Sequence, residues 1–457
     1  MIGSLCRAAL AAALAALALP GAAAAHTLTE RYQAPLPLLA YIGGAALAVA
    51  MSFAFVMLRG ARTEPQPPAR AAEDVRTVPR WLRQALSAIG LLAWLWIMAQ
   101  GFLGGSDPTA DVGNVLVWVL LWVGVALLSA LVGPVWPWLD PFSTIHRLLS
   151  AAGARLGLTG SGERPAWPER LGRWPAVIGF AVVVWLELVA FVVGGRTLAL
   201  VLLAYTLFTL AGMSYFGRQA WRANAEVFSV WFAILNRLAP RGLAGEPETG
   251  RVVRRPFASA LRRETWTLAE IVLLSLAAGA IIYDGLSQTG IYVALFYQTD
   301  WPISGVALHT LVMAAFEGAI LLLVLAVGRT LGRQALGAGL LPVAVGYLGA
   351  HYLVALLVDS QALVLALNDP LLRGDDLLPL PLSAWQPTLF LPVSIVWSIQ
   401  LAAVVGGHVL GAWSGHAALQ RQDAASPMRQ LPLAALMVFL TSLTLWSLGQ
   451  EVIAPPG

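Results

Sequence analysis

The chain has 457 residues, 58% of them apolar and only 11% charged, a balance far outside that of soluble domains. Its formal net charge of +4 comes from arginine alone, without lysine, and the arginines lie scattered through short polar gaps. That scatter argues against a nucleic-acid partner, which would need a basic stripe, and leaves one all-helical membrane domain as the reading.

The first segment has Arg7, the apolar run 8–19, Pro20, Gly21 and the small residues Ala22 to Ala25, the pattern of a secretory signal over residues 1–25. Cleavage after Ala25 makes His26 the new terminus; an uncleaved anchor helix is the alternative. Cys6, the single cysteine, leaves with the signal, so residues 26–457 form no disulfide.

Ten segments are long and apolar enough to cross about 30 Å of hydrocarbon. They are expected at 36–58, 83–103, 112–132, 174–194, 197–217, 265–283, 303–327, 338–366, 388–412 and 430–450. Beyond Arg7, only Arg31, Arg196 and Arg373 fall in one set of gaps, and every other arginine falls in the alternate set. Because cytoplasmic loops retain positive charge, both mature ends are expected in the periplasm of a bacterial inner membrane. A backbone in lipid must satisfy its own hydrogen bonds, so the spans are helices.

The long gaps after spans 3 and 5 resemble each other. Asp140, Phe142 and Ser143 recur as Glu226, Phe228 and Ser229, a weak internal repeat over 83–153 and 174–239. Asp140 with Pro141 starts a helix whose Phe142, Ile145, Leu149 and Ala152 share a face; Val227, Trp231, Ile234 and Leu238 make a similar stripe. Both helices are expected in the inner headgroup plane, with His146 and Arg147 on a solvated face. Trp81, Trp174, Trp301, Trp385 and Trp413 fit an interfacial belt. Gln100, Tyr205 and Gln361 are placed to hydrogen-bond within the bundle, and Asp284-Gly285 suits a connecting turn. In span 9, Gly407, Gly411 and Gly415 read as a close-packing stripe, with His408 and His416 at the interface. No phosphate-cradling, dinucleotide, zinc-protease or serine-hydrolase motif is present.

Charged groups at membrane depth cost at least about 2.5 kcal/mol each, so Glu187, His309, Glu317, His351 and Asp359 require a reason. His309 and Glu317 on span 7, like His351 and Asp359 on span 8, are separated by about 12 Å of helix. If spans 7 and 8 are antiparallel neighbours, His309 meets Asp359 in an outer layer and Glu317 meets His351 deeper. Three readings stay open: structural pairing, a periplasm-facing metal or hydrolytic site, and a proton or ion pathway. For a site, His26, Glu187, His309 and Asp359 are the expected ligands of a divalent transition metal such as zinc or copper. Glu317 and His351 would then act as a base relay.

Several stretches resemble a family of bacterial polytopic proteins labelled fenitrothion hydrolase. They are Ala25-His26 with Pro35 and Pro37, Leu210-Ala211-Gly212-Met213 with Phe216-Gly217-Arg218 and Trp221, and Glu226-Val227-Phe228-Ser229. Further on come Asp284-Gly285-Leu286-Ser287, Ala350-His351-Tyr352-Leu353 with Gln361, and Gly407-His408. The resemblance covers most of the mature chain and carries no catalytic assignment. It implies an integral membrane hydrolase of the aryldialkylphosphatase type that cleaves the P–O–aryl bond of small apolar organophosphorus triesters, with a second membrane subunit as partner. The alternative of a different class is a non-enzymatic transporter or copper-handling protein.

Overall fold

The computed structural model describes residues 38–58, 74–105, 107, 110–157, 164–378, 387–420 and 427–448. Its first half holds α1 (Leu38–Leu58), β1 (Val75–Thr77), α2 (Arg80–Leu103) and α3 (Asn114–Leu131, wound at first in the wider π form). Then follow α4 (Trp136–Leu139), α5 (Pro141–Arg155), α6 (Trp174–Leu188), α7 (Gly195–Phe216), α8 (Arg218–Asn224) and α9 (Val227–Asn236). The second half adds β2 (Arg241–Leu243), β3 (Arg251–Arg254), α10 (Ala260–Arg263), α11 (Leu268–Ser287), α12 (Gly290–Phe296) and α13 (Gly305–Leu331). It ends with α14 (Arg333–His351), α15 (Leu353–Val358), α16 (Ala362–Asn368), α17 (Val393–Gln420) and α18 (Pro427–Leu448).

Among the described residues, seven helices are long and apolar enough to cross a bilayer, and α14 with α15 and α16 makes an eighth, bent by 53°. The chain is an all-helical multi-pass membrane protein. The other two expected spans are shorter apolar helices, Leu39–Phe55 within α1 and Trp174–Leu188. The latter stops early because the chain leaves the helix through Phe191, at φ 50, and Gly195, at φ 61. Span 9 begins only after Pro392, so α17 extends beyond the expected end at 412. Its two histidines are therefore buried rather than interfacial. His408 is 0% exposed with Nδ1 against the Val404 carbonyl at 2.8 Å, and His416 Nδ1 lies 2.6 Å from Gln430 Oε1.

Among the described residues, the first four arginine-rich gaps gather on one face. There β1 and β2 flank β3 in a small antiparallel sheet, with Val75 and Gly242 both opposite Val253. This sheet is not apparent in the sequence pattern. Arg222 reaches Asp140 (3.3 Å), Arg237 reaches Glu264 (2.9 Å), and Glu270 receives both Arg173 and Arg237. Trp266 N donates to Gln334 Oε1 at 3.1 Å, which ties the next arginine gap to the same face.

Asp140 and Glu226 cap their helices as the repeated motif suggests: Asp140 accepts from Ser143 N, and Glu226 from Phe228 N and Ser229 N. Tyr205 donates to Glu226 at 2.6 Å. The second of these helices is more enclosed by protein than its stripe suggests. Val227 to Asn236 is buried along almost its whole length, so α9 packs within the protein on nearly all sides. In α5 the outward side carries Leu148 and Leu149, while His146 is turned inward and buried, contrary to the solvated face expected for it. The reason is that α5 packs its first turns against α2 and α7.

The glycine stripe of α17 does bring two backbones together. A Cβ at Gly407 would lie 2.6 Å from the Pro342 carbonyl oxygen, and one at Gly411 2.4 Å from that of Gly339. At the centre, α11 packs against α6, α13, α14 and α18 and is buried on nearly every side. Although Gly332, at φ 79, joins α13 directly to α14, these helices are not principal neighbours: α13 packs on α11, and α14 on α11 and α17.

Candidate functional site

The start of α11 is fixed by a reciprocal cap. Thr267 Oγ1 accepts from Glu270 N at 3.3 Å, and Glu270 Oε2 accepts from Thr267 N at 2.8 Å. From there the helix runs one turn past Tyr283, so Asp284 and Gly285 are helical and buried instead of forming a connecting turn. Asp284 is 2% exposed. It faces the place where span 8 breaks, between His351 and Leu353.

His351 Nε2 lies 2.8 Å from Asp284 Oδ2, and the Tyr352 hydroxyl donates to the same oxygen at 3.1 Å. Gln288 Nε2 donates to Oδ1 at 2.8 Å. Gln400 holds the end of α14 by donating to the Ala350 carbonyl, also at 2.8 Å. Gly285 lets the elements close: a Cβ there would lie 1.9 Å from Ser447 Oγ and 3.5 Å from His351 Cε1. With Asp284 accepting from Nε2–H, the His351 lone pair is left on Nδ1. That Nδ1 is buried and has no hydrogen-bond partner among the described residues. Glu187, in the last turn of α6, is within electrostatic reach of Asp284, as is Tyr352.

The expected pairs are not formed. Among the described residues no ion pair joins Glu317 to His351 or His309 to Asp359, because the helices that were to be neighbours pack chiefly on others, α13 on α11 and α14 on α17. Glu317 lies over Gly279 of α11, where a Cβ would come within 2.2 Å of Oε2, and among the described residues neither of its oxygens has a hydrogen-bond partner. His309 Nδ1 is 2.8 Å from the Tyr292 hydroxyl, which in turn is 2.7 Å from the Tyr283 hydroxyl; the Tyr297 ring lies tilted against the imidazole with centroids 4.4 Å apart. Asp359 opens the short 3-10 turn between α15 and α16. His26, the signal segment and Trp385 lie outside the described residues.

Sequence reasoning placed His351 among the candidates and missed its partner. The available signal was that Asp284 follows an apolar run without any other charge after Glu270. As for a metal, no group of three or more His, Cys, Asp or Glu side chains comes together among the described residues to hold an ion. Of the expected ligands, His309 has its Nδ1 engaged by Tyr292. The described residues therefore do not build a metal centre by themselves. Gln100 and Gln361 do hydrogen-bond within the bundle, Gln100 accepting from Val112 N at 2.7 Å and Gln361 donating to the Thr388 carbonyl at 2.8 Å. Comparisons with family models, with curated proteins and with solved structures find no match.

Proposed function

We propose that the chain is a membrane-embedded hydrolase in which His351 is the base, Asp284 orients it, and the substrate is an apolar phosphotriester with an aryl leaving group. The observation that carries this reading is the buried His351–Asp284 pair, 2.8 Å apart, with the second imidazole nitrogen buried and without a hydrogen-bond partner among the described residues. The two stretches that supply it, Asp284-Gly285-Leu286-Ser287 and Ala350-His351-Tyr352-Leu353, are among those that resemble the fenitrothion hydrolase family. In the reaction Nδ1 takes a proton from water as the water oxygen adds to phosphorus. The P–O–aryl bond breaks, the aryl oxide leaves with the bonding pair, and the imidazolium, stabilised by Asp284, releases its proton to solvent. A nitrophenolate departs without an acid, so one base suffices. Apolar triesters partition into bilayers, which accounts for a site at this depth.

The test is hydrolysis of a nitrophenyl phosphotriester by the full chain in liposomes. His351→Ala and Asp284→Asn should each lower turnover by about 100-fold or more, and His416→Ala should not. Unchanged turnover in both variants would overturn the reading. The break in span 8 beside His351 favours a second one, a proton-coupled transporter, since interrupted helices at a buried ionisable pair are a transporter feature. That reading requires no hydrolysis by the unmodified chain, with solute or metal uptake into the same liposomes abolished by His351→Ala.

A further inference from the structure

On the arginine-rich face, a cavity of about 540 Å³ opens between the first turns of α2, the start of α5 and the Pro247–Glu248 turn. Three arginines line it, Arg80, Arg83 and Arg147, against one carboxylate, Glu248. That carboxylate is already paired, its Oε1 accepting from Arg218 at 2.6 Å. Arg83 donates to the Val78 and Glu248 carbonyls and so is part of the frame. Arg147 donates from one nitrogen to the Ser87 and Thr144 hydroxyls, at 3.3 and 3.0 Å, and among the described residues its other guanidinium nitrogens make no hydrogen bond. Arg80 is exposed at the first position of α2 and has no ion pair among the described residues. The cavity thus holds more positive charge than it neutralises. Burial, followed by the Arg218 charge, pulls the Arg147 guanidinium below its ordinary range, a penalty that a bound anion would relieve.

Beside these charges the cavity is also lined by the apolar Ala88, Leu91 and Leu148. Down α2, Arg80, Gln84, Ala88, Leu92 and Leu95 follow helical spacing and are all exposed, a stripe that passes from cationic to apolar in about four turns. Leu148 of α5, 57% exposed, borders the same track. Trp81, 68% exposed beside Arg80, fits the bilayer–water boundary at this level.

The geometry points to a bound anionic phospholipid, its phosphodiester held between Arg80 and Arg147 and one acyl chain lying along Ala88, Leu92 and Leu95. A cationic pocket at the head of an exposed apolar track matches a lipid and not a free anion, which would gain nothing from the track.

The test uses the delipidated full chain in neutral detergent, with dioleoyl phosphatidylglycerol, dioleoyl phosphatidylcholine or inorganic phosphate added and bound species counted by native mass spectrometry. Phosphatidylglycerol should be retained in preference to phosphatidylcholine. Arg80→Gln and Arg147→Gln should each weaken it about fivefold, and Arg155→Gln, at the far exposed end of α5, should leave it unchanged. Ala88→Trp keeps every charge but fills the track, and should also remove the lipid. Equal retention by the wild type and the Arg80→Gln/Arg147→Gln double variant would overturn the proposal. So would retention in Ala88→Trp, or displacement of the lipid by an equal concentration of inorganic phosphate.

Discussion

At the scale of single residues, the buried polar groups of this protein are positioned by where side chains are missing. Glu317 occupies the space over Gly279, so Gly279→Ala should displace its carboxyl and lower stability by about 1–3 kcal/mol. Glu317→Ala in the same chain removes the collision; thermal unfolding of both singles and the double variant should show less than additive loss. A second prediction concerns His146 on α5. Burial first, and then the Arg218 and Arg164 charges, hold its imidazole below the ordinary value of 6.5. The folded protein thus favours the neutral ring. That contribution is intact above pH 6.5 and is lost as the pH falls through the depressed folded value. Unfolding temperatures measured at pH 7.5 and pH 5 should therefore fall more for the wild type than for His146→Gln. Residue-level legibility was uneven. His351 stood out in the sequence because an imidazole within an apolar run needs a partner. Asp284 did not, since an acid after a long apolar stretch reads as its end, and the donors that make its burial tolerable include His351 and Tyr352, which arrive from 67 and 68 residues away.

Among the elements, α14 and α17 make the closest helix pair, and glycine is why. Gly339 and Gly346 on one helix face Gly411 and Gly407 on the other, and a Cβ at Gly346, Gly407 or Gly411 would lie 2.4 to 2.6 Å from a backbone carbonyl oxygen. Neither backbone can yield as a side chain would, so Gly411→Leu should sharply lower the yield of folded protein. Gly406 supplies the control, with nothing within 4 Å of a Cβ. Gly406→Ala should be neutral or stabilising by up to about 1 kcal/mol, since alanine is the better helix former. Size-exclusion profiles of the two variants in detergent would separate these outcomes. This contact was legible from spacing because a stripe of small residues is a local pattern. Neighbours were not: α13 and α14 share a one-residue turn, yet α13 packs mainly on α11 and α14 mainly on α17, so matched depths along consecutive helices gave the wrong pairs. Depth is a one-dimensional quantity that sequence supplies; which helix stands alongside depends on side-chain packing across the whole bundle.

For the whole molecule, the alternation of arginine gaps is the constraint that the fold must satisfy, and its first four arginine-rich gaps do meet on one face through the pairing of β1 with β3, Arg222–Asp140 and Trp266–Gln334. On the other face Arg373 donates to the Leu103 carbonyl at 2.7 Å, which joins the end of α2 to the turn after α16. Which face is cytoplasmic follows only from the preference of positive loops for that side. Because Cys6 is the single cysteine, single-site labelling is direct after Cys6→Ser. Arg254 on β3 and Asp375 beyond α16 are both exposed and sit on opposite faces. In spheroplasts, a membrane-impermeant maleimide should label Asp375→Cys at once and Arg254→Cys only after the membrane is opened. The reverse order would invert the orientation, placing the headgroup cavity in the outer leaflet. Labelling of both from one side would break the alternation itself, since an even number of crossings would then separate two faces that the ion pairs and the arginine pattern assign to opposite sides.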